Sequence, residues 1–335
     1  MKRWLKISAL AAFCLMALPY RSPAPLIYTP GEGWTYETFG GGGDWRKTRA
    51  KDQLAIAQAA FDKKDFSLAR KASLRVVNTW PLSDYAPQAE YLVARCLETT
   101  GKDEAAFREY QKLLQKYPKT VNYEEVLHRE FDICNRFLAG ERFKLWNYIP
   151  TFRSMDKTVD MLDKVVKNGP YSDVAPLAQM DIGAAREKQT RFLNDKEPYE
   201  EAAKAYEVAA DRYQDRPGVA ADALYKAGQA YQKQAQTAEY DQSSAEKAID
   251  TYGYFKEFYP DDPRNAKCDQ SIALLRTEQA RGNFEIAKFY ETKHAWKGAL
   301  IYYNEVLIRD PKSPYAETAL KRITALKKLT ETPAQ

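Results

Sequence analysis

The chain has 335 residues, with 51 basic and 46 acidic side chains, 23 tyrosines, 15 glycines, four cysteines and two histidines. Lys2, Arg3, Lys6 and Arg21 crowd the N-terminus, so the remainder is close to neutral, with acids and bases alternating along its helical stretches. That balance excludes the one-sided basic stripe of a nucleic-acid binder. The two histidines, His128 and His294, stand far apart in charged stretches with no cysteine or carboxylate cluster of metal-ligand spacing beside them.

Met1–Lys6 carries three positive charges, and Ile7–Leu18 is an apolar run that ends at Pro19. A basic start followed by a short apolar core reads as a secretory signal over 1–24, too short to span a bilayer comfortably. Cys14 stands where a lipoprotein cysteine would, yet Phe13 precedes it and Leu15–Leu18 continues the apolar run, so the segment matches a lipidation signal poorly. A Ser22–Pro23–Ala24 cleavage site has suitable small residues, with Pro25 directly behind it. Residues 25–43 then form an extended leader rich in proline and glycine, ending in Gly40–Gly43. Its Trp34 and Tyr36 either pin it to a folded surface or belong to a solvated linker.

Helices are expected from Asp44, beginning with Ala50, Leu54, Ala57 and Phe61 on one face. From there one pattern recurs six times: a small residue, then large or apolar positions at +4, +7, +8 and +11, usually followed by proline. The copies start at Ala69 (Ser73, Val76, Val77, Trp80, Pro81) and Ala106 (Tyr110, Leu113, Leu114, Tyr117, Pro118). The next two start at Thr158 (Leu162, Val165, Val166, Gly169, Pro170) and Ala202 (Tyr206, Ala209, Ala210, Tyr213). The last two start at Ala248 (Tyr252, Phe255, Lys256, Tyr259, Pro260) and Ala299 (Tyr303, Val306, Leu307, Asp310, Pro311). These offsets trace one face of a helix, and proline stops it. A helix that recurs and cannot bury its face alone predicts an all-α solenoid of about six helix pairs, right-handed and without a sheet, over 44–328, with a short tail at 329–335.

Between the copies a second signature appears, Pro81–x–Ser83–x–Tyr85–Ala86–x–x–Ala89, repeated from Pro170 with Ser172 and from Pro311 with Ser313. The serines are expected to cap the next helix through their hydroxyls. Pro81 and Pro118 are 37 residues apart, Pro118 and Pro170 52, Pro217 and Pro260 43, and Pro260 and Pro311 51. A plain tetratricopeptide unit is about 34 residues, so longer helices or insertions are required. The widest unit contains an aromatic insertion over 137–152, with Trp146 and Tyr148 between Gly140 and Pro150. It either tucks under its neighbours or meets a partner.

No constellation for catalysis is present: no phosphate-binding loop, no nucleophile elbow, and an Asp261–Asp262 pair that reads as turn chemistry beside Pro260 and Pro263. No enzyme activity, metal or cofactor is expected. Cys96, Cys134 and Cys268 lack metal or redox spacing and read as buried small residues, with one disulfide plus a free thiol as the other arrangement.

With a signal, long repeats and the block Asn283–Leu300, in which Lys293 forms a basic turn and Ala295–Trp296 opens a helix, the chain resembles the BamD/ComL family of outer-membrane assembly factors. The resemblance implies a non-enzymatic scaffold in the periplasm, associated peripherally or by a lipid anchor with the inner face of the outer membrane. It also implies two kinds of partner, an Omp85-type barrel assembly protein and nascent outer-membrane proteins. N-terminal repeats would hold an extended client, and C-terminal repeats, with Lys293 and Trp296, would dock the barrel protein. The rival is a general envelope tetratricopeptide scaffold coordinating division or peptidoglycan synthesis.

Overall fold

The computed structural model describes residues 26–29, 33–36, 45–119, 123–145, 149–150, 153–193, 197–237 and 242–331. The signal segment, Cys14, Trp146 and Tyr148 lie outside the described residues. The chain forms two compact units, 1–121 and 122–335.

In the first unit, helices α1 (Ala50–Asp62), α2 (Phe66–Thr79), α3 (Ala86–Thr99) and α4 (Asp103–Lys116) pack each on the next. The stripes at Ala69 and Ala106 fall on α2 and α4. Their positions through Val77 and Leu114 are buried, Ala69, Ser73, Val76, Ala106, Tyr110 and Leu113 completely. Alanines make this packing close: Ala57, Ala60, Ala69 and Ala72 share one cluster with Leu92 and Cys96.

The second unit contains α5 (Tyr123–Ala139), α6 (Met155–Asn168), α7 (Ala175–Leu193), α8 (Glu197–Arg212), α9 (Pro217–Thr237), α10 (Ser243–Phe258), α11 (Asn265–Thr292), α12 (Trp296–Arg309) and α13 (Ala316–Glu331). The remaining four stripes lie on α6, α8, α10 and α12, so every copy belongs to the second helix of its pair. The uneven repeat spacing has a structural origin. α9 has 21 residues and α11 has 28, where α3 has 14. α11 runs through two core clusters, its Cys268 and Leu275 packing with Tyr252 and Phe255, its Ala280 and Ala287 with Tyr303 and Ile323.

Two expectations need correction. The first is that 44–328 contains no sheet: the all-α class stands, but among the described residues one two-residue β-pair forms within that range, and the 25–43 leader, expected only to be extended, carries a hairpin of its own. In the leader, β1 (Leu26–Thr29) pairs antiparallel with β2 (Gly33–Tyr36), Leu26 opposite Tyr36. In the aromatic insertion, β3 (Lys144–Leu145) pairs antiparallel with β4 (Ile149–Pro150). In sequence the leader carries β-branched and aromatic residues on both sides of Pro30–Gly31, a hairpin pattern too short to register as a periodic strand. The insertion is rooted by Phe143, which is buried and stacks on Phe137 at 4.3 Å, while Arg153 Nε donates to the Gly140 carbonyl at 2.8 Å.

The second correction concerns the junction serines. None caps a helix through its hydroxyl: Ser172 Oγ donates to the Gly169 carbonyl, Ser83 and Ser313 Oγ have no partner, and Tyr85, at the N-cap of α3, makes no side-chain cap bond. The backbone does the work instead. Ser83 N–H donates to Trp80 O and its carbonyl accepts from Ala86 N, and Ser313 repeats this with Asp310 and Ala316. Asp262 makes the same pair with Tyr259 and Asn265, and Arg216 with Tyr213 and Val219. Because backbone groups close the turn, its geometry survives changes of side chain, and serine is favoured where the site is buried and small.

Candidate interaction site

The packing rule of each pair fixes where polar groups emerge. At the +4 position of four stripes a tyrosine ring is buried, and its hydroxyl donates to a side chain near the end of the preceding helix. Tyr110 reaches Glu98 at 2.7 Å, Tyr206 reaches Glu187 at 3.2 Å, Tyr252 reaches Gln232 at 2.8 Å and Tyr303 reaches Glu291 at 2.7 Å. Burying a tyrosine this way satisfies its hydroxyl while the ring fills the helix interface. Two of the acceptors also bind a cation from the helix after: Lys233 of α9 on Glu187, and Arg322 of α13 on Glu291, where Arg322 Nε lies 3.2 Å from Oε2. Each such tie joins three helices.

At Glu291 the tie opens onto the surface singled out in the sequence. α11 ends at Thr292, and Lys293 is its C-cap. His294 follows with φ 57°, its N–H on the Glu291 carbonyl, and Ala295 N–H closes the turn on Tyr290 O at 3.0 Å. α12 then starts at Trp296. The turn therefore brings Lys293 and Trp296 together, Lys293 exposed and Trp296 half-buried against the C-terminal core. His294 lies between the two helices and meets the Trp296 indole edge-on with centroids 5.0 Å apart.

Aromatic rings build the surroundings. Tyr290 stacks on Tyr302 at 5.4 Å, and Gly298 is required beneath it, because a Cβ there would stand 2.8 Å from Tyr290 Cδ1. Phe289 is 58% exposed with Lys293 Nζ 5.8 Å from its ring centroid, an exposed apolar–cationic pair. Two open grooves flank Trp296. One, of 570 Å³, runs between α11 and α13 past Phe284, Glu291, Tyr303 and Arg322; the other, of 420 Å³, follows the turn from His294 to Gly298. Burial, followed by the charge of Glu285, pushes the Tyr303 hydroxyl above its ordinary pKa, so it stays a donor to Glu291.

Lys293 and Trp296, singled out in the sequence, share this turn; His294, Glu291 and Arg322 were not singled out, and Tyr303 was read only as a stripe position. The Tyr–Glu tie had a readable trace, since Tyr303 follows Glu291 by the same interval as Tyr110 follows Glu98. Among the described residues no group of three His, Cys, Asp or Glu side chains is arranged to hold a metal, and no helix is long and apolar enough to cross a membrane. Cys96, Cys134 and Cys268 are free and buried, and burial raises the thiols, Cys96 and Cys268 to about 11. They are structural residues rather than reactive ones.

Residues 216–335 match the family model YfiO, described as outer membrane lipoprotein, and 88–120 match a tetratricopeptide repeat model. The first match contains the whole α11–α12 turn; the second spans α4 and most of α3. No curated protein matches the sequence. Among solved structures, the C-terminal part of a TPR repeat-containing protein from Cytophaga hutchinsonii is 15% identical, with 81% of this chain and 88% of that one covered at a TM-score of 0.35. A tetratricopeptide repeat protein from Parabacteroides merdae is 11% identical over 82% and 98% of the two chains, with a TM-score of 0.29. MamA from Desulfovibrio magneticus is 14% identical over 66% and 98%, at 0.30. Superpositions at these scores carry no argument about what the chain binds.

Proposed function

We propose that this chain, a tetratricopeptide-repeat protein resembling the BamD/ComL outer membrane lipoproteins, is a non-enzymatic scaffold of the outer-membrane β-barrel assembly machinery. The observation that carries the reading is the coincidence of two things in 216–335: the outer membrane lipoprotein match and an exposed basic–aromatic turn at Lys293–Trp296. In this reading the protein works at the periplasmic face of the outer membrane. The α11–α12 turn docks an Omp85-type barrel protein, and the remaining repeat surface holds nascent barrel proteins as extended segments. Trp296, wedged at the start of α12, supplies apolar contact at the centre, and Lys293 supplies charge at the rim, where it governs association rate and salt dependence more than total affinity.

Two measurements test this. Cross-linking in intact envelopes followed by purification of the chain should recover an Omp85-type barrel protein, and depletion should lower outer-membrane barrel levels. If barrel levels stay normal while division or wall synthesis fails, the chain serves the rival scaffold instead. Lys293→Glu should weaken docking several-fold with an unchanged melting temperature.

A further inference from the structure

Four helix ends among the described residues share one device: a residue in the left-handed region followed by an N–H that reaches back five positions. The left-handed residues are Lys64 (φ 63°), Gly101 (φ 68°), Gly140 (φ 116°) and His294 (φ 57°). The closing bonds are Asp65 N to Ala60 O, Lys102 N to Leu97 O, Glu141 N to Arg136 O and Ala295 N to Tyr290 O. The device asks for glycine, because a Cβ crowds the carbonyl in this conformation. Two of the four are glycine, Lys64 is a straight chain, and His294 is the one that places a ring there. A backbone outlier retained at steric cost points to something the side chain does.

What the ring does is visible. It stands at 72° to the Trp296 indole, centroids 5.0 Å apart, and both side chains line both grooves. Trp296 is only half-buried, so its indole needs support from one side to stand as a fixed wall. The charge along the turn itself is one-sided. From Thr292 to Asn304 the chain has no acidic residue, while Lys293 and Lys297 flank the turn. The α1–α2 turn differs, with Asp62 and Asp65 bracketing Lys63 and Lys64. The nearest acid, Glu291, is occupied by Tyr303 and Arg322.

We propose that His294 is a positioning residue: it holds the left-handed turn so that its ring braces Trp296 as a rigid partition between two grooves. The partition receives a partner loop that carries an apolar side chain beside a carboxylate. The apolar group enters the groove along Phe284 and Trp296, and the carboxylate faces Lys293 and Lys297. This deepens the docking reading above and rests on it. Preorganising one half-buried tryptophan removes the entropy that its immobilisation would otherwise cost on binding.

The test uses the full chain, labelled with fluorotryptophan and titrated with the detergent-solubilised Omp85-type barrel protein of the same envelope. In the free protein, His294→Gly should leave the melting temperature unchanged or raised, because the strain is relieved, while the Trp296 fluorine resonance broadens. Affinity should fall about tenfold, the size of one lost ordering contribution of this kind. His294→Asn, which tolerates the backbone but lacks the ring, should behave alike, and His294→Tyr should sharpen the resonance again. Wild-type affinity should fall with salt, and the Lys293→Glu, Lys297→Glu double variant should lose that dependence. If His294→Gly changes neither resonance nor affinity while Trp296→Ala abolishes docking, the bracing idea is wrong and the docking reading stands. If Trp296→Ala and Lys293→Glu also bind normally, the docking reading itself fails. A resonance moved by anionic vesicles but not by the barrel protein would assign the face to lipid and overturn the proposal.

Discussion

Glu90 shows how far one buried side chain departs from its ordinary chemistry. It is 2% exposed on α3, one of its carboxylate oxygens has no hydrogen-bond partner, and its neighbour across the helix pair is another acid, Glu109. Burial first, then the hydrogen bond and charge of Glu109, push it up to about 7, against the opposing pull of Lys116 and Lys112. A raised carboxyl binds its proton more tightly in the folded chain than in the unfolded one. Its contribution is therefore full below about 4.5, is lost as pH rises, and is gone above about 7. Discounted for screening, the amplitude is about 1–2 kcal/mol. Glu90→Gln should flatten that slope and make the first unit more stable than wild type at pH 8, read by urea titration across pH 4.5 to 8. An unaltered slope would place the titration elsewhere.

The glycines of α7 and α9 belong to the same scale. A Cβ on Gly183 would sit 2.5 Å from the Tyr206 ring, and on Gly228 2.7 Å from the Tyr252 ring. Alanine favours a helix by about 1 kcal/mol over glycine. Forcing it into a packed ring costs about 1–3 kcal/mol, so Gly183→Ala and Gly228→Ala should be neutral or destabilising by thermal melting. Net stabilisation would mean the rings yield freely.

At the scale of the element, the tie of tyrosine to acid is what each pair adds to its apolar stripe. Tyr303→Phe keeps the ring and removes the hydroxyl, leaving Glu291 to Arg322 alone. The expected loss is about 1.5–3 kcal/mol, the usual worth of a hydrogen bond to a charged group. The same change at Tyr252, whose acceptor is the neutral Gln232, should cost less. Equal losses would show that the acceptor's charge does not contribute. The stripes were legible before any coordinates, because small and large residues at fixed offsets are a direct imprint of helix packing, and Ala106 and Tyr110 are fully buried as that imprint requires. The ties were legible only in part: Glu98–Tyr110 and Glu291–Tyr303 share a 12-residue interval, while the acceptors of Tyr206 and Tyr252 sit 19 and 20 residues away. The junction serines misled for a related reason. Residue type suggested a cap, but a buried turn closed by backbone bonds selects serine for its size. Lys293 and Trp296 were readable as a basic turn and a helix start, whereas the left-handed His294 between them follows only from φ.

For the whole molecule, repeats that contact chiefly their neighbours distribute stability locally rather than through one core. Ala106→Trp forces a large ring into a fully buried site of the first unit and should cost about 1–3 kcal/mol or more. Amide exchange should quicken in α1–α4, while protection of Ala280, Ala287 and Val306 in the second unit is retained. Uniform loss across both units would refute local distribution.

The length of α11 has a mechanical corollary. Its 28 residues make a strut of about 42 Å, seated at one end beside Tyr252 and at the other beside Tyr303. Such a strut pivots more readily than it bends, and near its middle Gln279 and Asn283 are buried against Gln242, a natural fulcrum. A load hung on the Lys293 end is then felt at Cys268, whose thiol is wholly covered at the other. The rate at which that thiol yields to a labelling reagent becomes a gauge of what is happening about 38 Å away, at a surface the reagent never touches.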